Sequence, residues 1–361
     1  MVSDVLRLAV IGCGYVAQND YFPVLATDEV RERAEVVAVC DTVPGRATDT
    51  AARFGFGAGY TDLESTLADG APDLVAILTP IPLHFDQAMR SLDAGAHVYV
   101  QKTMTSTLAQ ARELTRRAAE LSLVLTASPG QMLDGAHQFA ARAIADGSIG
   151  AVCFARGQGP HPGHENGNLN GADPAWYYQP GGGPLPDTAV YPLTSLVSLI
   201  GPVVGVTATS GRALSERSWE GRPLELKEDD SWVLALDFGN GVLGSVHANF
   251  LSRKFNTPQV EIYGSTGVIQ LGGWTNPDVP LEAYLDPART DGEPGWTRPA
   301  LPAPANDYQP TVRDLLHTVD ALRAGEPPAL SGLQAAHVID VIEAARRSAA
   351  EGRPIEVHST F

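Results

Sequence analysis

The sequence predicts an α/β protein of two domains: a doubly wound parallel sheet, followed by an α+β domain with an open, mainly antiparallel sheet. Three observations predict it. Short apolar runs alternate with helical segments over the first 127 residues, this alternation stops near Ser128, and the later strands come in hairpin pairs. A chain of 361 residues is also longer than one compact core usually accommodates. We therefore predict domains at 1–127 and 128–361.

The first domain is predicted from five runs of apolar residues, as expected of strands that are buried on both faces of a parallel sheet. Capping signatures at Thr61 and Thr107 open two of the helices between them, and Gly95 ends another. The five predicted strands are Leu6–Ile11, Val36–Cys40, Leu74–Leu78, His97–Val100 and Leu123–Thr126.

The second domain begins with a predicted helix and strand, at 135–146 and 151–156. A stretch rich in Gly, Pro, Asn and His follows from 157 to 183, which is typical of a binding loop. Turn signals then predict two hairpins, and two helices close the chain. The hairpins are predicted at 232–238 with 242–250 and at 260–263 with 268–271, and the helices at 311–324 and 333–350.

Composition describes an ordinary globular chain, with 44% hydrophobic and 19% charged residues. No apolar run approaches the ~20 residues of a spanning helix, and the first residues do not resemble a signal peptide, so we expect no membrane partner and a cytoplasmic location. The net charge of −17 makes nucleic acid an unsuitable partner. Three scattered cysteines indicate neither a disulfide framework nor a zinc site.

The first functional motif is Gly12-Cys13-Gly14-Tyr15-Val16-Ala17, directly after a predicted buried strand. Gly12 permits the tight turn, Gly14 lets the backbone approach a pyrophosphate, and the helix that begins at Tyr15 and Val16 offers free N–H groups to phosphate. This is the pattern of a Rossmann dinucleotide-binding domain. An ordinary tight strand-to-helix turn is the structural alternative.

Asp41 supports the dinucleotide interpretation. It ends the second predicted strand, 24 positions after Ala17, where an acidic residue binds the adenosine ribose hydroxyls. A carboxylate there favours NAD over NADP, although NADP stays possible because Arg46 can offset the charge. Capping of the next helix is an alternative role that is compatible with ribose binding.

Further candidates follow two other predicted strands. Thr79, Pro80 and His84 come after the strand at 74–78, and Gln101 and Lys102 come after the strand at 97–100. Ligands of open parallel sheets bind beyond the carboxyl ends of the strands. We therefore predict that these residues line the cofactor crevice together with the glycine turn.

Three ordered motifs make the chain resemble the glucose-fructose oxidoreductase, inositol dehydrogenase and MocA family: Thr79–His84, Ala88–Lys102 and Gly181–Tyr191. The resemblance implies NAD(P)-dependent oxidation or reduction at a carbon of a sugar, polyol or related compound. The chain departs from the family pattern: Gln101-Lys102-Thr103 stands for Glu-Lys-Pro, and Thr194 replaces a frequent Asp.

From this resemblance we predict three catalytic residues. Tyr191 stands where many family members have His and some have Tyr; it can hold the proton of the substrate oxygen, while Lys102 lowers its pKa and stabilises the oxyanion. Asp187, four positions earlier, can orient the substrate hydroxyl or pair with Lys102. A buried packing tyrosine is the alternative for Tyr191.

The long loop supplies the predicted substrate contacts. His161 and His164 are interpreted as sugar-contacting residues and not as metal ligands, since Pro162 and Gly163 disfavour a helical zinc motif. We predict no metal. Trp176 and Tyr177 suit the C–H faces of a sugar, with core packing as their alternative.

Two other functions share this fold: NAD-dependent glycoside cleavage through transient oxidation, and dinucleotide sensing without turnover. Retention of Lys102, Asp187 and a protic residue at 191 disfavours a sensor. The long alternating strands at 232–238 and 242–250 also predict a homo-oligomer, a dimer or a tetramer, because one face of such a sheet lacks covering helices.

Overall fold

The computed structural model describes residues 5–167, 173–273, 279–286, 295–301 and 310–361. The chain forms two compact units. The first unit comprises Met1–Gly130 and Asn306–Ala336, and the second comprises Gln131–Ala305 and His337–Phe361. The first boundary lies close to the predicted one at residue 127. However, the prediction placed the whole of 128–361 in the second domain, whereas residues 306–336 belong to the first.

In the part of the first unit that the structure describes, six strands form a parallel sheet in the order β3-β2-β1-β4-β5-β6, the order of a doubly wound dinucleotide-binding fold. The predicted Rossmann domain is therefore confirmed. Only β3 was missed, because its three residues are not fully buried and form no apolar run. The strands are β1 Leu6–Ile11, β2 Ala34–Cys40, β3 Ala58–Tyr60, β4 Leu74–Ile77, β5 His97–Val100 and β6 Leu125–Ala127.

Helices connect these strands, and their ends are set by local side chains. The Thr107 side chain accepts from the N–H of Gln110 at 3.2 Å, as the capping signature predicts. The predicted cap at Thr61 is Asp62 instead, which accepts from the N–H of Ser65 at 2.8 Å. The helices are α1 Phe22–Leu25, α2 Asp28–Arg31, α3 Arg46–Phe54, α4 Leu63–Gly70, α5 Ile81–Asp93 and α6 Leu108–Leu121.

Helix α9, Pro310–Ala324, explains why the late segment belongs to the first unit. Its buried apolar residues recur at helical spacing and lie in the same core as the residues of β1 and β2. The sequence predicts this helix, but helical spacing does not reveal which core the apolar face joins. These residues are Val312, Leu315, Leu316, Val319 and Leu322.

The second unit is built on a mixed sheet of nine strands among the described residues, in the order β16-β15-β14-β13-β7-β12-β11-β8-β17. Both predicted hairpins are present, and of the strand pairs that the described residues form in this sheet only β7–β12 is parallel, so the predicted open and mainly antiparallel sheet is confirmed. The strands are β7 Val152–Pro160, β8 Gly205–Gly211, β11 Ser231–Asp237, β12 Leu243–Asn249, β13 Val260–Gly264, β14 Val268–Leu271, β15 Glu282–Tyr284, β16 Trp296–Thr297 and β17 Ile355–Glu356, and β9 Ser218–Trp219 pairs with β10 Arg222–Pro223.

One face of this large sheet is covered. Along β11 the residues Trp232, Leu234 and Leu236 are buried, whereas the alternating Val233 is 52% exposed. Helices α7 Gly135–Ala145 and α8 Val190–Ile200 belong to this unit, and α10 Gly332–Glu351 runs from the last residues of the first unit into it. Among the described residues, no helix is long and apolar enough to span a membrane.

Candidate functional site

The glycine turn of the first unit has the geometry that dinucleotide binding requires. Gly12 has φ +100°, and a Cβ there would lie 3.1 Å from the carbonyl carbon and oxygen of Leu78. Its N–H donates to the oxygen of Cys40 at 2.8 Å. The close approach of the turn after β1 to the end of β4 therefore requires a residue without a side chain.

Beyond the turn, the start of the helix is open to a ligand. A Cβ at Gly14 would meet no heavy atom within 4 Å. The N–H of Gln18 donates to the oxygen of Gly14 at 3.0 Å, so the preceding N–H groups of Tyr15 and Val16 lie in the first turn, ahead of the intrahelical hydrogen bonds. Both side chains are about 40% exposed. These residues fit the pyrophosphate of a dinucleotide.

Asp41 follows β2 and lies beside the glycine turn. Its carboxylate accepts from the N–H groups of Cys13 and Val43, each at 2.9 Å. The guanidinium of Arg46 lies 3.3 Å from the same carboxylate, with the Arg46 side chain 44% exposed. The acid therefore shapes the turn as well as being available to a ribose, and Arg46 partly neutralises it.

The residues that follow β4 are the next predicted cofactor contacts of the first unit. The hydroxyl of Thr79 donates to the side chain of Gln87 at 2.6 Å, and Pro80 is exposed at the start of α5. The ring of His84 is fully buried and lies 2.7 Å from the oxygen of Thr79 and 2.9 Å from that of Thr103. Burial lowers the pKa of His84. The fully buried ring of His84 joins the two loops that follow β4 and β5, and its predicted cofactor contact stays a prediction.

Gln101 is held by two hydrogen bonds within the first unit, and its predicted cofactor contact stays a prediction. It is 8% exposed, its side-chain oxygen accepts from the N–H of Lys102 at 2.7 Å, and its amide donates to the hydroxyl of Tyr21 at 2.9 Å. The hydroxyl of Tyr21 lies 2.8 Å from that of Tyr99. The side chain predicted to face the cofactor therefore anchors the backbone of Lys102 to a buried hydrogen-bond network.

This network ends at an acidic residue of α9. The hydroxyl of Tyr99 lies 2.8 Å from that of Ser128, which donates to Oδ2 of Asp314 at 2.5 Å. The N–H of Gly130 donates to the same oxygen at 2.7 Å, whereas Oδ1 has no hydrogen-bond partner among the described residues. Burial raises the pKa of Asp314 to about 7. No spacing in the sequence indicated this network, because its members are spread over almost 300 positions.

In the second unit the predicted substrate residues come together around Asp187. Nε2 of His164 lies 2.6 Å from Oδ2 of Asp187, and the side chains are 11% and 5% exposed. The ring of His161 lies 4.4 Å from that of His164 between centroids. Asp187 lies in the helical turn Leu185–Ala189, directly before α8. The structure thus pairs a residue predicted to contact substrate with one predicted to be catalytic.

Aromatic rings fix the orientation of this imidazole. Tyr177 stacks on His164 with 3.4 Å between centroids and 10° between planes, and Trp176 lies 3.9 Å from Tyr177. Phe250 meets the imidazole edge-on at 5.3 Å. Trp176 and Tyr177 are both half-buried. They combine packing with partial exposure, as a sugar-binding surface requires.

A buried ion cluster anchors the loop that carries His164. The guanidinium of Arg217 lies 2.6 Å from Glu165 and 3.3 Å from Asp230, with all three side chains at most 9% exposed. Burial and Glu165 raise the pKa of Tyr178, whose hydroxyl donates to Glu165. A Cβ at Gly163 would lie 2.6 Å from Arg217. Residues 165, 217 and 230 share no motif, so this cluster could not be predicted from the sequence.

Tyr191 and Lys102 belong to different units. Tyr191 is 4% exposed and lies in α8 within the apolar core of the second unit, and Lys102 is half-buried after β5. Their action as a pair stays a prediction. The described residues hold no group of three or more potential metal ligands, and Cys13, Cys40 and Cys153 are free thiols.

A Rossmann sheet with an open glycine turn and an acid at the end of β2 defines a dinucleotide-binding protein. Comparison with family models identifies the class as NAD-binding oxidoreductases: residues 6–128 match the oxidoreductase family with an NAD-binding Rossmann fold, and residues 137–270 match the GFO/IDH/MocA C-terminal domain. The chain belongs to this family. The match confirms the resemblance, the enzyme class and the NAD cofactor predicted above.

Relatives extend over most of the chain. It is 24% identical over 361 residues to scyllo-inositol 2-dehydrogenase (NAD(+)) of Bacillus subtilis, covering 98% of this chain and 96% of the relative. It is 27% identical to D-glucoside 3-dehydrogenase of Escherichia coli, covering 67% and 69%. Among solved structures, levoglucosan dehydrogenase in complex with NADH superposes with a TM-score of 0.83 at 21% identity, covering 98% and 100%. That last similarity supports the fold.

Proposed function

We propose that this chain transfers a hydride between NAD and a carbinol or carbonyl carbon of a sugar, a cyclic polyol or a derivative of one. Bound NAD supplies the hydride acceptor at C4 of its nicotinamide. The relatives named above are dehydrogenases of an inositol and of a glucoside. Their names favour this activity over glycoside cleavage and over dinucleotide sensing.

The arrangement of side chains around His164 carries the proposal. Polar groups of His164 and Asp187 lie beside the stacked ring of Tyr177. A sugar or polyol presents the matching chemistry, hydroxyl groups on an apolar C–H face, so the polar groups bind hydroxyls and the ring binds the C–H surface.

Residues of the first unit bind the cofactor in this proposal. The N–H groups at Tyr15 and Val16 bind pyrophosphate, the carboxylate of Asp41 binds the adenosine ribose, and Thr79 and Pro80 border the nicotinamide half. Asp41 favours NAD, since a 2′-phosphate would meet a carboxylate. Lys102 stabilises charge on the substrate oxygen.

A screen for NADH absorbance changes with inositols, glucosides, anhydrosugars and free pentoses tests the function. We expect one class to support turnover with NAD and less with NADP, and an Asp187→Asn variant to lose it while still binding NAD. A protein that binds NAD but oxidises no polyol and reduces no matching ketone would refute the proposal.

The partner and location predictions belong to the same proposal. A homo-oligomer, a dimer or a tetramer, would cover the open sheet face, where Val233 and Leu243 are each 52% exposed and Phe154 is 37% exposed. Sedimentation should show an assembly that a Val233→Lys variant weakens; a monomeric wild-type protein would contradict it. A cytoplasmic location fits the free thiols and the NAD requirement, and cell fractionation tests it.

A further inference from the structure

We infer that His164, held by Asp187, is the general base and acid that exchanges a proton with the substrate oxygen. The inference rests on the proposed function and assigns its proton step to the imidazole, in place of the predicted phenol of Tyr191. Asp187 then acts as a positioning residue for the imidazole.

The hydrogen bond to Asp187 determines the tautomer. Asp187 is a carboxylate that accepts, so the 2.6 Å contact places the proton of the neutral ring on Nε2. Nδ1 of His164 therefore keeps its lone pair, and no described residue forms a hydrogen bond with it. An imidazole with one nitrogen fixed by a carboxylate and the other free has the arrangement of a His–Asp acid–base pair.

The surroundings hold this pair in place before substrate binds. The stacked ring of Tyr177 and the edge contact of Phe250 fix the imidazole plane. The backbone N–H of His164 donates to the hydroxyl of Tyr178 at 3.0 Å, and the next residue, Glu165, is bound by buried Arg217. A loop anchored on both sides of the imidazole limits the motion that would otherwise weaken proton transfer.

The chemical step balances without another group. In the oxidation direction the substrate O–H bond breaks and its proton bonds to Nδ1 of His164, while the carbinol C–H pair leaves as hydride for NAD and a C=O bond forms. Asp187 stabilises the resulting imidazolium through Nε2–H, and Nδ1 later releases its proton to water. In the reduction direction the same proton returns to the oxygen.

The test compares His164→Gln, Asp187→Asn and Tyr191→Phe on the substrate that the screen identifies. We expect His164→Gln to lower turnover about 10²–10⁴-fold and to remove the fall of kcat/KM on the acid side, with NAD affinity unchanged. Asp187→Asn should lower turnover about as much, because its amide can donate to Nε2 and place the proton on Nδ1. Tyr191→Phe should lower turnover far less than His164→Gln does, and an equal or larger loss would return the proton step to Tyr191. His358→Gln, which removes an exposed histidine, is the matched control.

A tautomer measurement keeps the inference testable without turnover. Long-range proton–nitrogen NMR of histidine-labelled protein should show His164 protonated at Nε2 in the wild type and at Nδ1 in Asp187→Asn. An active wild type with an equally active His164→Gln variant overturns the inference and leaves the function standing. Protonation at Nδ1 in the wild type also overturns it. Absence of any turnover in the wild type counts against the function itself.

Discussion

Replacing Asp314 by Asn should make the protein more stable at alkaline pH and leave it nearly unchanged at acidic pH. Burial raises the pKa of this carboxyl from 3.8 to about 7, so the folded state holds a proton that the unfolded state releases. The free energy of unfolding of the wild type then falls as pH rises from about 4 through 7, and the whole destabilisation by the buried carboxylate is present above pH 7. At 1.36 kcal/mol per pH unit, a shift of about three units corresponds to about 4 kcal/mol.

Asn at position 314 cannot ionise, so it avoids the destabilisation by a buried carboxylate and keeps the hydrogen bonds of Asp314. Its oxygen can accept from Ser128 and Gly130, as Oδ2 does, and its amide would occupy the position of Oδ1, which has no hydrogen-bond partner among the described residues. The remaining cost of burying an unpaired amide is the same at every pH. The difference in free energy of unfolding between variant and wild type should therefore change by about 4 kcal/mol between a pH below about 4 and a pH above about 7.

Amide hydrogen exchange of β5 and α9 peptides, comparing wild type and variant at about pH 5 and again at about pH 8, measures about 2.7 kcal/mol of this difference, because about two of the three pH units over which wild-type stability falls lie above pH 5. An Asp320→Asn variant on the same helix is the control, because its side chain is 48% exposed in a surface ion pair worth about 0–1 kcal/mol. Equal protection of variant and wild type at both pH values would refute the reasoning.

Three other substitutions test the buried ion cluster of Arg217 and the cofactor site. Arg217→Met should lower the free energy of unfolding by about 3–5 kcal/mol, because it leaves the buried carboxylates of Glu165 and Asp230 without their cation. Arg222→Met, at an exposed ion pair, should change the melting temperature little. Similar melting temperatures of the two variants would contradict this. Arg46→Ala should weaken NADP binding more than NAD binding in calorimetric titration, since Asp41 loses its cation; an unchanged ratio would show that Arg46 does not set the preference. Gly12→Ala should abolish NAD binding without unfolding the second unit, because φ is +100° and Leu78 lies 3.1 Å away; tight NAD binding by this variant would disprove the role of the turn.

Most elements could be predicted from the sequence, because their signals are local. The strands of the first sheet read as apolar runs, and the hairpin of β11 and β12 is marked by alternation around Gly239-Asn240-Gly241. Strand β3 gave no such signal: it has only three residues, none of them buried. Its place in the sheet comes from pairing with β2.

The site was predicted in part for the same reason. Gly12, Asp41 and Asp187 carry positional signals, but the partners of each side chain depend on contacts between distant positions. The turn of Gln101 towards Tyr21 and the pairing of Arg217 with Glu165 arise from residues 80 and 52 positions apart. Periodicity and motif spacing contain no information about such pairs.

The return of residues 306–336 to the first unit has a consequence for biosynthesis. The ribosome completes β6 and must then add the 175 residues from 131 to 305 before the chain that forms α9 appears. At about 5–20 residues per second, this leaves the apolar surface under Val312, Leu315 and Val319 uncovered for roughly 9 to 35 s. During this time the nascent chain exposes an apolar surface to which a chaperone can bind.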